Sequence, residues 1–268
     1  MKITQDLHMH THLSRCAKPE ATLEAYIAQA ASLGLDTLGI ADHLWDAAVG
    51  LPDSYSRCYS FYEKQNVPHV LSIREEAKGL DTKGLRILFG AEAEYDPVRD
   101  DIALSEEAAQ TLDFIIVPNS HTHMIMQTSL YEPHQAHADY MLKAMYDILR
   151  SPLSKYVTAI AHPFDAVCCP YDNHLLYSLI PRNAYIDVFT EAREKGIAIE
   201  LNTSSCLNKT DEEIKADSKW EIFHIARECG CKFTFGSDCH HPNSQKNLLG
   251  AKAVTEFLSL TEKDILLL

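Results

Sequence analysis

The chain has 268 residues, 46% of them hydrophobic, which is enough for one large domain with a full core. Its formal net charge is −14, and no Lys/Arg cluster of the kind that tracks a phosphate backbone is present, so no nucleic-acid partner is expected. No apolar run reaches membrane-spanning length and residues 1–12 hold no apolar signal core, so no membrane partner is expected; eight cysteines without a disulfide framework fit a reduced, cytoplasmic protein.

Short apolar runs at 3–7, 37–41, 86–90, 114–117, 157–161, 197–201 and 232–236 read as strands. Helical stretches fall between them at 22–33, 67–78, 135–149, 182–195 and 218–229, with a last one at 261–267. In the first, Leu23, Ile27, Ala30 and Ala31 form one stripe, Thr22 is placed to cap and Gly34 to stop it. Seven strands alternating with helices predict an α/β fold with a parallel sheet or barrel. No GxGxxG or GxxxxGK[ST] motif supports a doubly wound nucleotide fold, and no linker divides residues 1–268 into domains. One segment, 45–66, breaks the rhythm. It carries Tyr55, Tyr59, Phe61 and Tyr62, and it reads either as a packed excursion over the rim or as a lid or substrate wall.

Eight residues stand just after these strands: His8, His10, His43, Glu92, His121, His162, Asp238 and His240. All are good donors for Zn²⁺, Mn²⁺ or Fe²⁺. His8 and His10 are two apart, so in a strand they point the same way. In a barrel of parallel strands the C-terminal ends converge on one face, where active sites lie. Eight donors exceed the needs of one ion. Two or three divalent ions are expected, with Glu92 as the bridge. Such neighbouring ions generate hydroxide at neutral pH, and Glu92, Asp238 and His240 are placed to hold it.

The order D-L-H-x-H-T, A-D-H, G-x-E, S-H, A-H-P and G-S-D-x-H, from Asp6 to His240, resembles the PHP family (polymerase and histidinol phosphatase). The resemblance implies a distorted, TIM-like barrel of seven parallel strands, a trinuclear metal site and phosphoesterase activity. It places His8, His10, Glu92 and Asp238 on one metal, His43 and His240 on a second, and Glu92, His121 and His162 on a third. Family members usually carry another His or Asp five or six residues after the H-x-H, where this chain has Arg15 and Cys16. Cys16 is therefore a possible ligand, since a thiolate binds zinc. His12, in strand phase with His10, is a further one.

Other residues near these ends are open to two readings. His123 and His241 are expected as supporting or exposed histidines, and His134 and His137 as surface or cap residues of their helix. Asn202 begins a polar run after the sixth strand that is suited to donating to a phosphate. Arg15, Lys18, Arg57 and Lys209 are the loop cations available to a phosphate. Asp6 and Asp42 precede ligand positions and are suited to orienting histidines. The function expected is hydrolysis of a small phosphomonoester, histidinol phosphate being the substrate the resemblance suggests. The alternatives are a PHP-type phosphodiesterase or nuclease, and a metal-dependent hydrolase of a non-phosphate bond.

Overall fold

The computed structural model describes residues 1–51, 59 and 61–268; Tyr55 and Arg57 lie outside them. All seven expected strands form, in an α/β arrangement of mainly parallel sheets. Strands β1 (Gln5–Asp6), β2 (Thr37–Ile40) and β4 (Arg86–Phe89) make one sheet. A second runs in the order β11-β10-β9-β8-β5-β3, from Phe233–Gly236 through Ala198–Asn202, Ala159–Ala161, Ile115–Pro118 and Ala91–Ala93 to His43–Leu44. β2 and β3 are two parts of one predicted run, as are β4 and β5. A short antiparallel hairpin, β6 (Tyr95–Asp96) with β7 (Asp101–Ile102), was not expected from the sequence.

Backbone hydrogen bonds carry the β2–β4 pairing on into β3–β5, and others join β1 to β11 across the two sheets. The Gly90 N–H donates to Ile40 O at 2.9 Å and Glu92 N–H to Asp42 O at 3.1 Å. Leu7 N–H donates to Phe235 O, and Asp238 N–H returns to His8 O at 2.7 Å. Side chains alternate across the strands. One face carries Leu7, Ala41, Leu88, Phe114, Ile116, Ala159, Ala161 and Ala198, which pack together in a small cluster. The other carries Ile115, Val117, Ile160, Ile199 and Leu201, which join the main core with the helices. Burying each such Leu, Ile or Val contributes about 1.5–3 kcal/mol.

The first helix forms as its sequence dictates. Leu23–Leu33 starts on Thr22, whose side chain accepts from Ala25 N, and ends on Gly34 at φ 71°, a left-handed position that favours glycine. It buries Leu23, Tyr26, Ile27 and Ala30. The Tyr26 hydroxyl is shared between His10 O at 2.9 Å and Cys239 O at 3.1 Å, tying the helix to both ends of the chain.

Two helical expectations are corrected. The stretch 67–78 breaks at Ser72 into Val67–Leu71 and Ile73–Glu76. The C-terminal stretch 261–267 is no helix beyond the 3-10 turn Glu262–Asp264. The tail then extends: Leu266 N–H donates to Phe233 O, Gln5 donates to Leu266 O, and Leu266 and Leu268 pack against the small apolar cluster. Unpaired strand backbone there outcompetes helix propensity. Helices Asn173–Leu179 and Ala251–Phe257 were not foreseen. Among the described residues no helix is long and apolar enough to cross a membrane.

Candidate metal centre

The strand ends bring all eight expected donors together. Parallel pairing of β3 with β5 sets His43 opposite Glu92. Glu92 lies at the middle: its Oε1 is 2.9 Å from His162 Nε2 and 3.4 Å from His121 Nε2. Its Oε2 is 2.9 Å from His43 Nδ1, 3.5 Å from His8 Nε2 and 3.6 Å from His10 Nε2. Asp238 Oδ1 is 3.3 Å from His10 Nε2 and 3.6 Å from His8 Nε2. Four overlapping sets of donors result: His8–His10–Glu92, His8–His162–Asp238, His10–His43–His240 and His43–Glu92–Glu94–His121.

The histidines are held in one tautomer. Glu200 Oε1 accepts from His8 Nδ1 at 2.7 Å, Glu94 accepts from His121 Nδ1 at 3.0 Å, and the Asp238 carbonyl accepts from His240 Nδ1 at 3.1 Å. Ser120 spends its proton on His162 O, so its oxygen accepts from His162 Nδ1 at 2.7 Å. Ser14 likewise donates to Asp42 and accepts from His10 Nδ1 at 3.3 Å. In five rings Nδ1 is therefore taken, and Nε2 is the nitrogen left to bind a metal once deprotonated. In His8, His10, His121 and His162 that nitrogen faces the carboxylates within the cluster. This is how metal-binding imidazoles are supported. His8 Nε2 and His10 Nε2 lie 3.1 Å apart, near the about 3.3 Å of two ligands on one tetrahedral zinc ion.

His43 differs. Its Nδ1 faces Glu92 Oε2, and both atoms are buried without a hydrogen-bond partner. Buried polar atoms are rarely left so, and a cation between the two would satisfy both. The residues fit divalent ions on this ground and on the hardness of the nitrogen and carboxylate donors.

Charge agrees with the geometry. Burial lowers the proton affinity of His8, but Glu200, Glu92 and Asp238 outweigh it and hold its pKa well above the ordinary value. Burial likewise opposes His43, and Glu92 outweighs it. Burial raises Glu92, but His121, His8 and His43 hold it well below the usual carboxylate range. Glu94, opposed by burial and favoured by His121, is held at about 2. Divalent ions would replace these protons.

Glu94 and Glu200 were not singled out from the sequence. Glu94 follows Glu92 in strand phase, a usable signal. Glu200 sits inside the apolar run 197–201, where an acid is a buried charge needing a partner. Besides His8, it accepts from the His162 backbone N–H at 2.7 Å.

The remaining expected residues fall into three groups. At the edge, Cys16 contacts the rings of His43 and His240; burial raises its thiol and these contacts outweigh it, leaving it at about 7. Phe61 sets its ring edge on His43 at 5.3 Å, placing part of the 45–66 excursion over the site. Arg15 and Lys18 are exposed on the turn that carries Cys16. A second group points elsewhere. His12 faces Glu76 at 3.2 Å, and Lys209 faces Asp217 at 3.8 Å. His241 caps the backbone of Asn243, and His123 is half-buried, with a buried Nδ1 and its ring 5.7 Å from that of His121. The third group supports the donors. Asn202 donates to Asp238 Oδ2 at 3.2 Å and to Glu200. Asp42 acts on His10 through Ser14, whereas Asp6 accepts from the His8 and Ser237 backbone and fixes chain rather than a ring. His137 is corrected: it is fully buried between Thr122 and the Tyr171 hydroxyl, because both ring nitrogens find partners there.

A cavity of about 380 Å³ opens beside His162 and Asp238, lined also by Asp165, Tyr171, Asn173 and Ser205. Behind it Lys219 is buried, 2.8 Å from Ser205 Oγ and 3.4 Å from Asp165. No sequence signal marked this cation. A larger cleft, about 560 Å³, lies against Tyr95, Met126 and Lys143 and contains none of the donors.

A parallel α/β scaffold ending in this donor set defines a hydrolase of the phosphoesterase class. Residues 6–204 match the PHP domain model, and the chain belongs to that family. A protein of Acetivibrio thermocellus named a probable phosphatase is 28% identical over 243 residues, covering 90% of this chain and 80% of that one. Another so named, from Clostridium novyi, is 26% identical over 242 residues, covering 90% and 80%. The histidinol phosphate phosphatase of Lactococcus lactis, solved with zinc, L-histidinol and phosphate, superposes with a TM-score of 0.69. It is 15% identical and covers 96% of this chain and 94% of that structure, a likeness of fold.

Proposed function

We propose that this chain hydrolyses a small phosphomonoester at a centre of two or three divalent ions (Zn, Mn or Fe), with histidinol phosphate the first substrate to test. The observation that carries the reading is the set of Nε2 atoms turned onto Glu92 and Asp238 by Nδ1 partners. His8, His10, His43, Glu92, His121, His162, Asp238 and His240 would hold the ions. When bound, the ions supply a nucleophile from water at neutral pH and offset charge on the phosphoryl oxygens.

The chain's own residues do the rest. Glu200, Glu94, Ser120 and Ser14 fix the imidazoles, so no reorganisation is needed when charge develops. Asp238 and His240 are the most exposed donors, with side chains 16% and 35% exposed, so substrate enters on their side. The adjoining cavity would take the alcohol portion, with Asp165, Asn173 and Ser205 as polar contacts. Lys219 places a buried positive charge behind it.

The same reading extends to the architecture. The bonds from Leu7 to Phe235 and from Glu92 to Asp42 support a closed, distorted seven-stranded barrel over one domain, 1–268. Asp238 and His240, beyond the matched 6–204, complete the donor set and so belong to that domain. The seven described cysteines are free thiols, which suits a cytoplasmic protein. The test is a panel of phosphorylated metabolites assayed with Mn²⁺, Zn²⁺ and Fe²⁺. Turnover of a monoester, lost on chelation and restored by metal, is expected; no turnover with any ion would refute the reading.

A further inference from the structure

The cavity beside His162 and Asp238 has a charge arrangement of its own. Lys219 is 4% exposed, and no other lysine or arginine among the described residues is buried. Its ammonium is 2.8 Å from Ser205 Oγ, 3.4 Å from Asp165 Oδ2 and 4.6 Å from the centre of the Trp220 ring. A buried charge needs a partner, and Asp165, which lines the cavity, matches it. The hydrogen bonds then fix what the wall offers. An ammonium only donates, so Ser205 accepts from it and has its own proton left for the cavity. Asn173 gives its amide N–H groups to Asp165 Oδ1 at 2.9 Å and Ala166 O at 3.2 Å. Its Oδ1 is left buried without a hydrogen-bond partner, which a polar atom rarely tolerates. Away from the metal donors, the wall therefore presents one donor, one acceptor and a matched pair of charges.

We infer that Lys219 sets substrate choice. By cancelling Asp165 it keeps the pocket for the alcohol portion neutral, so the preferred substrate is the phosphomonoester of an uncharged, hydroxylated alcohol. A hydroxyl accepts from Ser205 and donates to Asn173 Oδ1, satisfying both. An ammonium in its place finds Asp165 already matched and leaves the Ser205 proton without an acceptor. A carboxylate sets its lone pairs against Asn173 Oδ1. Unpaired polar groups of this kind are what let a site reject a close analogue. Lys219 acts through Asp165 and Ser205 rather than on the substrate itself. The inference rests on the proposed phosphatase reading, and it ranks histidinol phosphate, which carries an ammonium, below an uncharged counterpart.

The metal-loaded full chain, assayed on matched esters, tests this. Glycerol phosphate is compared with serinol phosphate, in which an ammonium replaces the middle hydroxyl, and with phosphoglycerate, which carries a carboxylate. Histidinol phosphate and 4-nitrophenyl phosphate complete the set. The unaltered chain should favour glycerol phosphate in kcat/KM by about tenfold or more over both charged analogues. Lys219→Met leaves Asp165 unmatched and should raise the serinol-to-glycerol ratio about tenfold. Asp165→Asn leaves the ammonium unmatched and should raise the phosphoglycerate-to-glycerol ratio by a similar factor. The double variant should return both ratios towards their starting values. Each ratio is taken within one sample, so partial loss of folded enzyme does not disturb it. If neither variant folds, the ranking by the unaltered chain decides. A preference of that chain for an ammonium-bearing ester, or equal turnover of all three analogues, overturns the inference, as do ratios that stay fixed in both single variants. Turnover of 4-nitrophenyl phosphate alongside such a result leaves the phosphatase reading standing. No turnover of any ester with any ion removes that reading and this inference with it.

Discussion

His8 gives its Nδ1 proton to Glu200, 2.7 Å away, and neither side chain reaches solvent. The other Glu200 oxygen accepts from the His162 backbone and from Asn202. One carboxylate on β10 thus aims a ligand from β1 and seats the loop bearing another. Glu200→Gln keeps the shape but removes the charge that holds the His8 proton. It is expected to weaken metal binding about 10–100-fold, with activity recovered at high metal. Metal titration of activity checks this; unchanged affinity would remove Glu200 from the machinery.

Acidity should act in opposite directions on the stripped and loaded protein. Burial lowers His8, His43 and His162, but Glu200, Glu92 and Asp238 outweigh it and hold their folded pKa values above 6.5. Their contribution to stability is complete below pH 6.5 and lost as pH rises through those folded values. His10, kept neutral by burial and by His240 and His43, loses its contribution below pH 6.5 instead and does not act in that window. Chelator-treated protein is therefore expected to lose Tm from pH 6.5 upward. Zinc-loaded protein should gain over the same range, because ligands bind deprotonated. Parallel thermal melts decide it.

Gly236 lies where backbone meets site. A Cβ there would strike Glu200 Oε1 and come within 2.6 Å of His8 Cβ. Gly236→Ala must push apart the pair that orients the first ligand. A stability loss of about 1–3 kcal/mol from overpacking is expected, with a larger fall in metal affinity than Glu200→Gln gives. Denaturant unfolding with and without chelator separates the two losses.

Tyr26 offers a test from outside the cluster. Tyr26→Phe removes the hydroxyl shared by His10 O and Cys239 O. A loss of about 1–3 kcal/mol is expected, because buried His10 O loses its donor while Cys239 O keeps the His10 N–H. A fall in metal affinity should accompany it, since both loops carry ligands, and isothermal titration with Zn²⁺ reads the second effect.

The eight donors were legible because each follows an apolar run, and strand ends converge whatever lies between them. Glu94 was legible in principle, two residues past Glu92, but an acid next to a ligand looks like any polar loop. Glu200 was hidden because it lies within a strand, and only the packed structure shows that its neighbour is His8. The C-terminal residues 261–267 misled for another reason. Their leucines suit a helix, and only the unpaired backbone of Phe233 and the apolar cluster below draw them into an extended tail. His137 shows the same limit: Thr122 and Tyr171, its two partners, are remote in sequence.

His10 N–H donates to Cys239 O, and Asp238 N–H to His8 O, so residues more than two hundred positions apart form one edge of the candidate metal centre. During synthesis, His8 and His10 leave the ribosome long before Asp238 and His240, the last of the eight donors. At roughly 5–20 residues per second, this delay exceeds ten seconds. The centre is thus a late event in the life of each molecule. A chain that ends before residue 238 lacks two of the eight donors, Asp238 and His240, and so has no complete site.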